Sequence, residues 1–304
     1  KEVRRPQEIG DKAGAGRAVD FLRGADLLDH AAAHDDHAVG HGEAAGKSGR
    51  HFSGVLEALV HALEQVGQQL VAQGTSALIV LSPHWRSAKL AVTSHEAPVV
   101  VHDFYGFPKA LYELKPEIAG APLLAGKLVE ALGGQGMSVE LRPQQGFDHG
   151  AWVPYIHLFP NGGPPMIQLS MPVDWTGETA LNVGAVVGEF AREHNAVVVG
   201  SGSLTHNFED MDLRGALQGQ STPPEYLTEF TDWIKAKLSA DDRQAISQAE
   251  LEAPHFARAH PDDDHYLPLP FALGAARLGA KVEVLPEEIR YKALSMQSFV
   301  FAHA

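Results

Sequence analysis

Histidines recur in this chain where apolar runs give way to turns. "ALIVLSPHW" carries His84, "VVVHDFYGFP" carries His102, "QGFDHGAWVP" carries His149 and "AVVVGSGSLTHNF" carries His206. "HPDDDHYLPLP" sets His260 and His265 five positions apart. The 304 residues contain 17 histidines and no cysteine. Without thiolates, a transition-metal site has to be built from imidazole and carboxylate. Imidazole also exchanges its proton near neutral pH, which suits it to acid and base work. The five-residue spacing does not place His260 and His265 on one helix face, which needs three or four. They are therefore not a pair of the HExxH type. Taken singly, each loop histidine has an ordinary reading as a solvated or backbone-bonded side chain. Their recurrence at strand ends is what points to a site.

Regular elements have to position these loops. Phe52, Val55, Leu56, Leu59, Val60, Leu63, Val66 and Leu70 form one apolar helical face, which Gly74 ends. Strands are expected at 77–81, 89–93, 137–141, 166–170, 196–200, 281–285 and 298–302. Helices are expected at 122–132, 176–194, 222–238 and 271–278. The third of these has Thr222 as N-cap and Pro223 at its first position. Pro261 disfavours helix at His260, so that stretch is expected as a loop feeding a helix that begins near Pro268 or Pro270. The alternation indicates an α/β fold, a single domain with a central, mostly parallel mixed sheet flanked by helices. In such sheets functional residues gather beyond the strand ends, so His84, His206 and His265 are expected to converge at one edge. Residues 1–50 differ, being rich in Ala, Gly, Asp and His with little apolar periodicity. They read as a poorly packed extension, with one short helix near Val19–His30, ahead of a domain spanning 51–304.

The net charge of −14 argues against nucleic acid as a partner, since neutralising phosphates takes a basic surface. No window approaches the roughly 18 apolar residues of a membrane span. The basic N-terminus lacks an apolar segment behind it, so no secretory signal is expected and a cytoplasmic location is. Trp85, Phe104, Tyr105, Phe107 and Trp152 read by default as packing residues, and Asp262–Asp264 as a solvated acidic loop or a cap for the next helix.

Six motifs, in order from about residue 52 to the C-terminus, carry a resemblance. "SPHW", "HDFYGFP", "DHGAWVP", "GSGSLTHNF", "HPDDDHYLPLPFALGAA" and "SMQSFVF" resemble those of class III extradiol ring-cleavage dioxygenases, the 4,5-DOPA dioxygenase-like group. The resemblance implies a non-haem site for Fe(2+), with Zn(2+) as the other metal of the group, that cleaves a catechol ring beside its paired hydroxyls. The implied partners are a small aromatic diol and O2. By motif match His84 and His265 would be metal ligands, His206 the acid/base residue, and His149 a catalytic residue binding substrate or dioxygen. His102 and His260 would line or support the substrate pocket. The family's third ligand sits in an early "SHG". The comparable His-Gly here is His41 in "VGHGE", His51 is a second candidate, and residues 1–50 could also supply none. Three ligands leave open positions for substrate and dioxygen, as a closed four-ligand site does not. Two rival readings remain: a zinc hydrolase using His206 as base, and a non-catalytic metal-binding or interaction protein on the same fold.

Overall fold

Side chains alternate across the central sheet so that both of its faces are apolar. In β2 (Leu78–Ser87), Ile79 and Leu81 pack into one core while Leu78 and Val80 pack into the other. The same division separates Val198 from Val197 and Val199 in β6 (Val197–Ser201), and Phe299 and Phe301 from Val300 in β10 (Phe299–Ala302). Period-two alternation with both faces covered is what a buried sheet between helical layers requires. The computed structural model describes residues 18–21, 54–212 and 222–302. His41 and His51, the two positions considered for a third ligand, lie outside them.

Among the described residues the main sheet has eight strands. Besides β2, β6 and β10 these are β1 (Ala18–Phe21), β3 (Leu90–Thr93), β4 (Val139–Arg142), β5 (Met166–Pro172) and β7 (Lys281–Val284), in the order β4-β3-β5-β2-β6-β1-β10-β7. The central pairs β1–β6, β2–β6 and β2–β5 are parallel, as is β3–β4, whereas β3–β5, β1–β10 and β7–β10 are antiparallel. The mostly parallel mixed sheet is therefore present. Ala18–Phe21 pairs with both β6 and β10 as a strand, where a helix was expected from Val19. Two short strands, β8 (Ile289–Arg290) and β9 (Leu294–Ser295), form a separate hairpin.

One face is covered by α1 (Gly54–Ala72) and α4 (His149–Leu158), the other by α3 (Pro122–Gly134), α5 (Gly177–Glu193), α6 (Glu225–Ser239) and α10 (Pro268–Ala275). Short helices complete the described residues: α2 (Lys109–Glu113), α7 (Arg243–Ser247), α8 (Ala249–Glu252) and α9 (Phe256–Ala259). Thr176 caps α5 as its Thr-x-x-Thr start suggests, its hydroxyl accepting from the Thr179 N–H. The start of α6 differs from expectation. Pro224 occupies the N-cap without a side-chain bond, two residues beyond the expected cap Thr222. Helix α10 begins at Pro268, where a proline costs no intrahelical hydrogen bond, and ends at Ala275 rather than Leu278.

Candidate metal and catalytic site

His84 reaches its place through a break in the β2–β5 ladder. Leu81 pairs with Leu169, but the next partners are Arg86 and Met171, so β2 carries extra residues between them. His84 lies in that irregularity, inside the strand rather than past its end as the sequence suggested. A bulge of this kind turns side chains out of the ladder and is common beside functional sites. The first turn of α4 comes so close that a Cβ on Gly150 would stand 2.3 Å from Ser82 Oγ and 2.9 Å from His84 Cδ2. Only glycine fits there.

His149 was expected in a glycine-bracketed loop. It is instead the first residue of α4. Asp148 is the N-cap, accepting from the Ala151 N–H at 3.1 Å and from Ser82 Oγ at 2.7 Å, with Gln168 Nε2 donating to its other oxygen. Burial, then the charge of Asp103, raises the Asp148 carboxyl to about 6, although these hydrogen bonds pull the other way. Asp103 Oδ1 accepts the His149 backbone N–H at 3.0 Å and lies 2.9 Å from His149 Nδ1, off the line of a ring N–H bond. Burial pushes the Asp103 carboxyl up, but the close His149 ring, its charge and its backbone N–H outweigh this and hold it below its usual value.

His206 follows β6 through the Gly-Ser turn. Its backbone N–H donates to Ala259 O at 2.8 Å. The next residue, Asn207, donates from Nδ2 to Arg258 O at 2.8 Å, and Arg258 holds Asp210 through two nitrogens at 2.9 and 3.2 Å. His265 sits in the loop before α10, and its carbonyl accepts from Ser203 N at 3.0 Å. Asp264 Oδ1 accepts from the His265 backbone N–H at 2.7 Å and from its Nδ1 at 2.8 Å. Asp264 thus lies in the expected loop, partly exposed but engaged with His265, and it is not the helix cap; the N-cap of α10 is Leu267.

Four imidazoles converge from these four segments. The ring centroids of His149 and His84 are 3.9 Å apart, those of His84 and His265 5.0 Å, and those of His265 and His206 3.6 Å. The expected meeting of His84, His206 and His265 at one edge of one sheet is observed. Two trios, His84–Asp103–His149 and His206–Asp264–His265, keep their ligand atoms within 4.8 Å of one another and could hold a metal ion. Nitrogen and oxygen donors without sulfur suit a divalent first-row metal. Burial first, then the neighbouring His149 and His265, lowers the His84 pKa well below the imidazole value. Its lone pair is thereby free, as ligation demands.

His102 and His260 stand apart from both trios. His102 Nε2 bonds to Leu114 O at 2.8 Å, and its ring lies 5.5 Å from that of Trp152. The run before it forms a single bridge, Val100 to Phe147, instead of a strand. His260 is 3% exposed, bonds through Nε2 to Leu204 O at 2.9 Å and is ringed by Phe230, Phe256 and Tyr266. Burial lowers its pKa to about 4, against the opposing pull of the Leu204 carbonyl. Sequence reasoning passed over Asp103 and Asp148, and read Asp264 only as part of a solvated loop or a helix cap. The dipeptide "DH" occurs at 148–149 and 264–265, but also at 29–30 and 36–37, so by itself it singles out neither site residue.

Known proteins share this arrangement of chain. Residues 39–302 match the family described as the catalytic LigB subunit of aromatic ring-opening dioxygenase. A 4,5-DOPA dioxygenase extradiol of Escherichia coli (strain K12) is 32% identical over 230 residues, 73% of this chain and 80% of that protein. One from Beta vulgaris is 28% identical over 246 residues, covering 79% of this chain and 87% of its own. A crystal structure of an uncharacterized protein from Escherichia coli K12 superposes with a TM-score of 0.66 at 27% identity, covering 80% of this chain and 92% of that one.

Proposed function

Because this chain belongs to the LigB family of aromatic ring-opening dioxygenases, we propose that it is an extradiol dioxygenase that opens a small catecholic ring with O2 at an Fe(2+) site. The observation that carries this reading is the run of four imidazoles, His149–His84–His265–His206, drawn from four separate segments. His84 and His265 would hold the metal, with a third ligand from the N-terminal residues, His41 or His51. Residues 51–304, with the β1 strand Ala18–Phe21 in their sheet, make up the rest of the catalytic unit. A bound Fe(2+) with open positions would bring catecholate and O2 side by side and supply the electron exchange between them.

The protein's own groups take the remaining tasks. His206, stacked on a ligand and half-buried, accepts the catechol hydroxyl proton and returns it as the ring opens. His149, backed by Asp103, donates to oxygen on the other side of His84. His102 and His260 shape the pocket from behind through the carbonyls they bind.

Metal-free protein loaded with Fe(2+) or Zn(2+) and offered simple catechols in an oxygen electrode tests the reading. Oxygen uptake with a ring-opened absorbing product supports it. Zinc-dependent ester or amide cleavage without oxygen uptake makes the protein a hydrolase, and metal uptake with neither reaction makes it a binding protein.

A further inference from the structure

We propose that Asp264 is a positioning residue for His265: its carboxylate fixes the imidazole as the Nδ1–H tautomer, so that Nε2 is the nitrogen offered to a metal ion. The tautomer is a property of the protein alone, while its use toward a metal rests on the functional reading above.

The bond pattern carries the proposal. Asp264 Oδ1 receives both the His265 backbone N–H, at 2.7 Å, and Nδ1, at 2.8 Å and in line. An ionised carboxylate only accepts, so Nδ1 must carry the hydrogen and the neutral ring's lone pair lies on Nε2. A half-turn of the ring would replace Nδ1 by a carbon against the carboxylate and forfeit the bond. The ring plane is fixed as well, by the parallel face of His206 at 3.6 Å and the edge contact with His84 at 5.0 Å. Ligand imidazoles elsewhere are oriented by a carboxylate on the second nitrogen, and loss of that partner typically costs 10- to 100-fold in metal affinity. The Asp103–His149 pair has a similar separation, 2.9 Å, but no in-line ring bond, so the same inference does not extend to it.

His102 and His260 provide internal standards. Each presents Nε2 to a backbone carbonyl, Leu114 O and Leu204 O, which only accepts. Both are therefore Nε2–H tautomers, opposite to His265.

Long-range 1H–15N correlation spectra of imidazole-labelled, metal-free full-length protein read the tautomers directly, with assignment by single His→Gln variants. The expected result is an Nδ1–H pattern for His265 and Nε2–H patterns for His102 and His260. In Asp264→Ala the His265 pattern should move toward Nε2–H and Zn(2+) affinity should fall about 10- to 100-fold. Asp264→Asn, which keeps an acceptor oxygen, should restore the tautomer and most of the affinity. An Nε2–H pattern for His265 in the wild type overturns the proposal, and that measurement needs no variant to fold. Unchanged tautomer and unchanged Zn(2+) affinity in Asp264→Ala also overturn it. The expected tautomer shift in a protein that takes up no metal would support the positioning role and sink the metal reading instead.

Discussion

His206 and His265 lie face to face, with ring centroids 3.6 Å apart and planes 6° from parallel. One comes from the loop after β6 and the other from the loop before α10. Backbone bonds between those segments, Ser203 N to His265 O and His206 N to Ala259 O, hold the stack together. If His265 holds the metal as proposed, His206, in contact with it but on a different loop, is placed to move a proton at the bound substrate.

His206→Ala should therefore keep metal and catechol binding and lose ring cleavage by roughly 10²- to 10⁴-fold, the usual contribution of an acid/base group. Single-turnover rates beside metal content measure this. Loss of metal would make His206 a ligand, and full activity would make it an ordinary loop histidine.

The two histidines of the "HPDDDH" segment should separate by phenotype. His265→Ala should abolish metal uptake while the chain stays folded. His260→Ala should keep the metal but unfold more easily by ~2–4 kcal/mol, because it empties a fully enclosed site and strands the Leu204 carbonyl. Metal analysis and urea unfolding of both variants decide it, and equal metal content in wild type and His265→Ala rejects the assignment.

The sheet was legible because short continuous apolar runs such as "ALIVL" and "AVVVG", too short for helices and bounded by turn residues, suit buried strands. The loop histidines were legible because cysteine is absent and the motifs recur. What the sequence hid is tertiary. The bulge that swings out His84 depends on how β2 pairs with β5, and nothing local announces it. Asp148 is the helix cap that turns the "QGFDHG" segment from loop into helix, and its partners Ser82 and Gln168 come from two other strands. Asp264 reads as one of three equivalent acidic residues until its contact with His265 singles it out.

Gly150→Ala should damage the site by geometry alone. The added Cβ meets Ser82 Oγ at 2.3 Å and His84 Cδ2 at 2.9 Å. Ser82 can yield only by giving up Asp148, and His84 only by leaving its neighbours. Alanine is otherwise the better helix former, so local propensity predicts no loss. The expected outcome is a metal affinity at least about tenfold weaker, in line with what misoriented ligands cost. Wild-type affinity in this variant would mean that His84 does not need its present position.

Two buried groups should set opposing pH dependences of stability. His260 is held at about 4, below the ordinary 6.5 of a free imidazole, so between these values the unfolded chain binds the extra proton and stability rises with pH. Asp148 is raised to about 6 from 3.8, so over that range the folded chain binds the extra proton and stability falls as pH rises. Each effect is of the order of 3 kcal/mol from 1.36 kcal/mol per unit, and in the wild type they nearly cancel between pH 4 and 6. Removing one exposes the other. Relative to wild type, metal-free His260→Gln should grow less stable as pH rises from 4 to 6, and Asp148→Asn more stable as pH rises from 4 to 6.5. Urea midpoints taken across that window read the slopes, and parallel curves for wild type and both variants would show that neither group titrates differently on folding.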